Sequence, residues 1–165
     1  MPERFRVLVI DDDPGVREYM EALITQQGYQ VEAAADGEEA LAKLDAARPD
    51  LVTLDVVLPG MDGLATLAEL KRRLPDVPVV MLSGHGQARN IVEAMKLGAS
   101  DFLRKPFEVE ELELAFQKAL EKRALKQEVE RLRSQARSEA GRLLLTGDNQ
   151  KMRDVNEIIE QVSDT

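Results

Sequence analysis

Asp11, Asp12 and Asp13 stand in tandem directly after the apolar run Val7-Leu8-Val9-Ile10, and Asp55 closes a second run, Leu51-Val52-Thr53-Leu54. Two further runs end differently. Val80-Met81-Leu82 reaches Ser83-Gly84, and Asp101-Phe102-Leu103 leads through Arg104 to Lys105-Pro106. Carboxylates crowded together repel, and each raises the others' proton affinity unless a cation intervenes. Hard oxygen ligands with open positions suit Mg²⁺, which keeps several waters and usually takes only one or two carboxylates. A carboxylate held beside Mg²⁺, a hydroxyl and a lysine is placed to attack a phosphoryl group. The metal and the lysine neutralise charge on the transferring oxygens, and the hydroxyl donates a hydrogen bond. Composition removes other chemistries. Zero cysteines exclude disulfides, thiolate nucleophiles and Cys-ligated metals. A single histidine, His85, argues against zinc sites and Ser-His-Asp catalysis.

The elements that must position these groups are legible as an alternation of short β-branched runs and amphipathic stretches. Phe5 to Ile10 reads as a buried parallel strand. Asp13-Pro14 opens a helix over about 14–27, with Asp13 as N-cap and Gly28 as the stop. Tyr29 to Ala34 is a second strand, and Asp36 opens a helix that Pro49 ends. The unit recurs: a strand into Asp55, a helix over 62–74, a strand over 77–82, a helix over 87–97 closed by Gly98, and a short strand over 101–103. Val16, Met20 and Leu23 are assigned to the core, and Gly60 and Gly63 to turn geometry. Five such units predict an α/β doubly wound fold, a five-stranded parallel sheet in the order 2-1-3-4-5. Ligands then sit at the carboxyl ends of the strands, and neighbouring strands one and three bring Asp11, Asp12 and Asp55 together.

Taken singly, Asp55 is a strand-end acid, Ser83 a turn hydroxyl, Lys105 a surface lysine and Phe102 plain core. Five pieces occurring in order change that reading: Val9-Ile10-Asp11-Asp12-Asp13, Asp50-Leu51-Val52-Thr53-Leu54-Asp55, Leu58-Pro59-Gly60-Met61-Asp62-Gly63, Val80-Met81-Leu82-Ser83-Gly84 and Asp101-Phe102-Leu103-Arg104-Lys105-Pro106-Phe107. With them, residues 5–118 resemble the receiver domain of two-component response regulators, a flavodoxin-like fold. The resemblance implies that Asp55 is the phosphoacceptor, loaded by a sensor histidine kinase. It implies Mg²⁺ held by Asp12, Asp55 and the Val57 carbonyl, with Asp11 acting through water. Ser83 would be the switch hydroxyl, Lys105 the phosphate-pairing cation and Phe102 the aromatic switch. Val57 and His85 would tune the phosphate's lifetime, and Lys105-Pro106 would be cis. The chain would then be a switch, not an enzyme. Two rivals fit less well. A flavin carrier of the flavodoxin type predicts a Ser/Thr/Gly-rich phosphate loop after strand one, where three aspartates stand. An aspartyl phosphohydrolase typically places its nucleophile at the first strand end and adds a cap domain.

From Phe107 to about Arg137 the chain reads as one helix, with no breaker before Gly141. Leu112, Ala115, Phe116, Ala119 and Leu120 suit packing on the sheet. Leu125, Val129, Leu132 and Ala136 then follow a 4-3-4 spacing among charged residues, a seam of about two heptads that predicts a parallel dimerising linker over 121–141. Beyond it, Leu145-Thr146-Gly147-Asp148-Asn149-Gln150-Lys151-Met152 and the amphipathic stretch Val155, Ile158, Ile159, Val162 resemble the opening of the central AAA+ ATPase domain of sigma-54-dependent activators. The organisation expected is a receiver over 1–120, the linker, and the start of that ATPase over 142–165. No G-x-x-x-x-G-K-[ST] motif occurs. A stand-alone receiver, or one with another output, acting only by protein contact, is the alternative. The resemblance implies a homodimer through the linker and helices four and five. In a full-length protein it implies an ATPase domain and sigma-54 RNA polymerase as partners.

Charge fits this division. The net −9 resides in the first 120 residues, with 13 basic and 22 acidic side chains, while residues 121–165 carry nine of each. A receiver so acidic is a poor partner for nucleic acid or an anionic membrane. Apolar runs of strand length supply no signal-peptide core, so a soluble cytoplasmic protein is expected.

Overall fold

In the computed structural model, residues 5–84 and 88–145 are described. His85 and the segment from Thr146 to Thr165, with its apolar positions Val155, Ile158, Ile159 and Val162, lie outside the described residues. Five strands, β1 (Arg6–Ile10), β2 (Gln30–Ala34), β3 (Leu51–Asp55), β4 (Val79–Ser83) and β5 (Asp101–Arg104), alternate with five helices. The helices are α1 (Pro14–Gln26), α2 (Gly37–Ala47), α3 (Gly63–Arg73), α4 (Ala88–Lys96) and α5 (Val109–Leu145). All strands are parallel, in the expected order β2-β1-β3-β4-β5.

Successive strand residues point to opposite faces, and both faces of this sheet are covered, so the central strands are apolar throughout. Val7, Val9, Leu51, Val80 and Leu82 pack with Met20 and Ile24 of α1 and with Leu112, Ala115, Phe116 and Ala119 of α5. Leu8, Ile10, Val52, Leu54, Val79 and Met81 form the other core with Ala40 and Leu44 of α2, Leu67 and Leu70 of α3, and Ala94 of α4. Thr53 breaks the apolar rule; its Oγ1 is buried with no hydrogen-bond partner among the described residues.

Helix starts follow the capping residues. Asp13 Oδ1 accepts from the Gly15 and Val16 N–H groups at 2.8 and 3.4 Å. Asp62 Oδ1 accepts from Ala65 N–H at 2.7 Å. At α2 the cap is reciprocal: Asp36 accepts from Glu39 N–H, and Glu39 reaches back to accept from Ala35 N–H. Most boundaries fall within two residues of expectation. One does not. The last helix runs through Gly141, the expected breaker, and on to Leu145. A mid-helix glycine costs only about 1 kcal/mol relative to alanine, and Ala140 and Leu143 to Leu145 are strong helix formers.

The chain divides into two units, Met1–Arg123 and Ala124–Thr165. In the first, Arg123 Nη1 donates to the Asp50 carbonyl and Oδ1 at 2.9 and 3.0 Å. In the second, the described part is helical, and Leu125, Val129, Leu132 and Ala136 are exposed. Among the described residues, no helix is long and apolar enough to cross a membrane.

Candidate functional site

Register explains why the acids meet. β1 and β3 align Ile10 with Leu54, so the next residues, Asp11 and Asp55, leave the sheet side by side. β4 aligns Leu82 with Asp55 and Ser83 with Arg104, which brings the hydroxyl and the approach to Lys105 to the same edge. Asp11, Asp55 and Ser83 are buried there, whereas Asp12 is exposed. One carboxylate oxygen each from Asp11, Asp12 and Asp55 lies within 4.8 Å of the others. This set of hard oxygens, with Asp12 open to solvent, fits a divalent cation that retains water.

Lys105 holds the centre. Its Nζ donates to Asp11 Oδ2 at 2.6 Å and to Asp55 Oδ2 at 2.9 Å. Its backbone N–H donates to the Ser83 carbonyl at 2.7 Å, tying the end of β5 to that of β4. Lys105-Pro106 is cis, as expected. The other Asp55 oxygen, Oδ1, accepts from Val57 N–H at 3.0 Å. Burial pushes the Asp55 carboxyl above the ordinary aspartate value, and the Asp11 charge adds to this, while Lys105 and the Val57 N–H pull the other way without prevailing. For Lys105 burial alone would lower the ammonium; its bonds to Asp11 and Asp55 outweigh that and hold it above the usual lysine value.

Support comes from residues beside the converging acids. Arg17 Nη1 donates to the Asp11 carbonyl at 2.6 Å, and Asp13 N–H donates to Asp11 Oδ1 at 3.0 Å. Asp13 therefore serves the helix cap, and its neighbour Asp11 faces the site. Gly63 departs from the turn role expected of it; its φ is not positive, and the requirement is instead close approach. A Cβ there would sit 2.3 Å from the Asp55 carbonyl oxygen and 2.5 Å from that of Val56. Gly60, by contrast, has φ +73° and is a turn glycine. Arg17 sits four residues after the cap, where a long side chain can turn back to a carbonyl, a weak signal in sequence alone.

The remaining expected residues are dispersed. Val57 has a side chain 72% exposed beside the acids. Phe102, on β5, is half-buried and packs against the core on the α2, α3 and α4 face. Leu125, Val129, Leu132 and Ala136 belong to the other unit. Two buried acids, Asp11 and Asp55, are thus each held by the Lys105 ammonium and by a main-chain N–H, an arrangement at the strand ends that can accommodate charge on an oxyanion.

Comparison with known proteins agrees with this arrangement. Residues 7–117 match the model of the response regulator receiver domain. The chain is 41% identical over 129 residues to the nitrogen assimilation regulatory protein NtrX of Azorhizobium caulinodans, covering 77% of this chain and 28% of that protein. It is 35% identical over 159 residues to the C4-dicarboxylate transport transcriptional regulatory protein DctD of Rhizobium meliloti, covering 96% of this chain and 35% of that protein. The chain thus spans about a third of the length of these relatives. The crystal structure of the receiver domain of NtrX from Brucella abortus superposes with a TM-score of 0.67 at 41% identity, covering 70% of this chain and 98% of that one.

Proposed function

From the premise that this chain belongs to the response regulator receiver domain family of two-component systems, we propose that it is a phosphorylation-driven switch whose acceptor is Asp55. The observation that supports this most directly is Asp55 itself, buried, hydrogen-bonded to Lys105 Nζ at 2.9 Å and within reach of Asp11 and Asp12. On this reading a sensor histidine kinase presents a phosphohistidine. An Asp55 carboxylate oxygen forms the new bond to phosphorus as the phosphorus–nitrogen bond breaks, and the histidine nitrogen leaves with its electron pair. Asp12, Asp55 and the Val57 carbonyl would hold Mg²⁺, with Asp11 in a supporting role through water, and the ion would supply charge neutralisation on the phosphoryl oxygens. Lys105 pairs with the phosphoryl group, and Ser83 donates its hydroxyl to it.

The output is contact, not turnover. A phosphoryl group on Asp55 draws in Ser83 and Lys105, Phe102 follows inward, and the face of α4, β5 and α5 changes its docking properties. Exposed Val92 and Met95 on α4 and Leu114 on α5 give that face the apolar character a partner would need. Leu125, Val129, Leu132 and Ala136 form a dimerising linker acting with helices four and five. Residues 142–165 are read as the start of a central AAA+ ATPase domain, and the match to DctD over 159 residues supports this. A full-length protein so built would drive sigma-54-dependent transcription in the cytoplasm, with no direct nucleic-acid contact or membrane role for residues 1–165.

Intact-mass measurement after acetyl phosphate and Mg²⁺ tests the assignment. One added phosphoryl group on wild type, absent in Asp55→Asn, is expected. Equal labelling of both would overturn Asp55 as acceptor, and sustained release of phosphate from a phosphomonoester would favour a hydrolase.

A further inference from the structure

Asp12 is the acid of the cluster that faces solvent, so its main chain, not packing, sets where its carboxylate points. Both peptides that flank it are pinned. The carbonyl of Asp11, in the peptide before Asp12, accepts from Arg17 Nη1 at 2.6 Å, a short charge-assisted bond. The N–H of Asp13, in the peptide after it, donates to Asp11 Oδ1 at 3.0 Å. Asp11 is itself anchored: its N–H donates to the Ala34 carbonyl at 3.1 Å, and its Oδ2 accepts from Lys105 Nζ at 2.6 Å. Because peptides are planar, fixing one on each side of Asp12 leaves its Cα–Cβ direction little freedom.

The helix alone does not explain this arginine. Arg17 is the fourth residue of α1, whose first turn carries no acid. A cation near a helix N-terminus opposes the helix dipole, so helix formation does not account for it. Attraction to the clustered carboxylates does not account for it either, since its bond goes to a carbonyl oxygen. Its charge is met by Glu39 of α2. The Ala35 N–H and Lys43 hold the Glu39 carboxyl below the ordinary glutamate value, and the charge of Arg17 adds to this. Lys43 Nζ bonds Glu39 at 3.0 Å and donates to the Ala33 carbonyl at 2.7 Å, which fastens this group to the end of β2.

Resting on the reading that Asp12, Asp55 and the Val57 carbonyl would hold Mg²⁺, we propose that Arg17 is a positioning residue for that cation. By fixing the Asp11 carbonyl it holds Asp12 in the direction that ligation needs. Charge and geometry predict opposite signs here. A guanidinium near a divalent cation repels it, so an arginine acting through charge would tighten Mg²⁺ binding when removed. An arginine acting through the carbonyl weakens binding when removed. A role confined to stability would lower Tm and leave the affinity alone.

Mg²⁺ alone is titrated calorimetrically into the 165-residue chain and its Arg17→Met, Arg17→Lys and Ile24→Val variants, with melting in the absence of divalent cation as the measure of stability. Ile24→Val removes one methyl group from the buried face of α1 and is the stability control. Expected is about tenfold weaker Mg²⁺ binding by Arg17→Met, a size usual for residues that orient a metal's ligands. Arg17→Lys, which keeps the charge and a donor, should fall between Arg17→Met and wild type. Ile24→Val should bind as wild type does in spite of a lower Tm. Wild-type or tighter binding by Arg17→Met, or by Arg17→Lys where the first does not fold, overturns the positioning role while leaving the Mg²⁺ reading intact. Equal weakening in Ile24→Val overturns it too, by tracing the loss to stability. A wild-type chain that binds no Mg²⁺ overturns the cation reading and this proposal with it.

Discussion

Replacing Gly63 by alanine adds one methyl group at the first residue of α3 and aims it at the backbone that carries Asp55. The new Cβ would lie 2.3 Å from the Asp55 carbonyl oxygen, 2.5 Å from the Val56 carbonyl oxygen and 2.6 Å from Val56 Cα. Ordinary contact begins near 3.4 Å, so the backbones must separate by roughly 1 Å. No side-chain rotation can relieve this, and Gly63 N–H is bonded to the Val56 carbonyl at 2.9 Å. Overpacking of this kind costs typically ~1–3 kcal/mol. Helix propensity returns at most about 1 kcal/mol, so a net loss on the order of 1–2 kcal/mol is expected. For a domain of this size that lowers Tm by roughly 4–8 °C. The displaced carbonyls flank Asp55, and a ~1 Å misplacement of a reacting group can cost about 100-fold in rate. Labelling by acetyl phosphate with Mg²⁺, followed by intact mass, should therefore slow by ~10–100-fold. Gly141→Ala is the control: among the described residues nothing lies within 4 Å of its added Cβ, so helicity should rise and labelling stay unchanged. A Gly63→Ala protein that melts and labels like wild type would refute the close-approach argument.

Three further outcomes follow from buried and paired groups. Thr53→Val removes a buried hydroxyl without a hydrogen-bond partner and should stabilise the domain by about 1 kcal/mol in urea unfolding; a loss would mean that the hydroxyl is satisfied in solution. Asp55→Asn should be more stable than wild type at pH 7 without divalent cation, because burial and Asp11 hold the folded Asp55 carboxyl above its unfolded value. A carboxyl so raised carries a penalty that sets in as pH rises past its unfolded value and is complete above its folded value, so the advantage should fade toward pH 3, and Mg²⁺ should shrink it at pH 7 by binding native wild type. Glu39 has the opposite sign: the Ala35 N–H and Lys43 lower its carboxyl, so it stabilises above the ordinary glutamate value and loses this as pH falls. Glu39→Gln should cost on the order of 0.5 kcal/mol at pH 7, a screened surface effect, with the two urea midpoints converging below pH 3.

Strand ends are legible because a polar residue that closes a buried apolar run can only face the sheet's edge, and parallel register then fixes its neighbours. The caps are legible for a similar reason: Asp13, Asp36 and Asp62 precede apolar-periodic runs and satisfy N–H groups that have no other partner. Gly63 is misleading in sequence because its constraint is a contact with Val56, set by how α3 meets β3 and not by its own dihedrals. Arg17 escapes notice because it donates to the Asp11 main-chain carbonyl, which carries no side-chain signature, and Arg123 because its partner Asp50 lies far away in the chain. The helix runs past Gly141 because a local cost of about 1 kcal/mol is outvoted by its neighbours.

Lys105 shows where charge counting goes further than motif order. The family resemblance assigns it to an incoming phosphoryl group, and its ammonium already binds Asp11 and Asp55 at 2.6 and 2.9 Å. A phosphoryl group on Asp55 would compete with these two carboxylates for its three N–H donors. Three carboxylates against one ammonium leave two negative charges at the site, the amount that one divalent cation offsets. A phosphoryl group brings further negative charge, roughly −1.5 to −2 for a phosphoryl side chain at neutral pH, and takes up the Asp55 oxygen it bonds to. The bond most directly displaced is therefore Lys105 to Asp55, whereas Lys105 to Asp11 can persist. Because the Lys105 backbone is bonded to the Ser83 carbonyl, movement of this side chain acts on the ends of β4 and β5 together. On the reading proposed above, that gives Asp55 a short physical route to Phe102 and the face beyond it, and the ammonium's change of partner would be the event on which the switch depends.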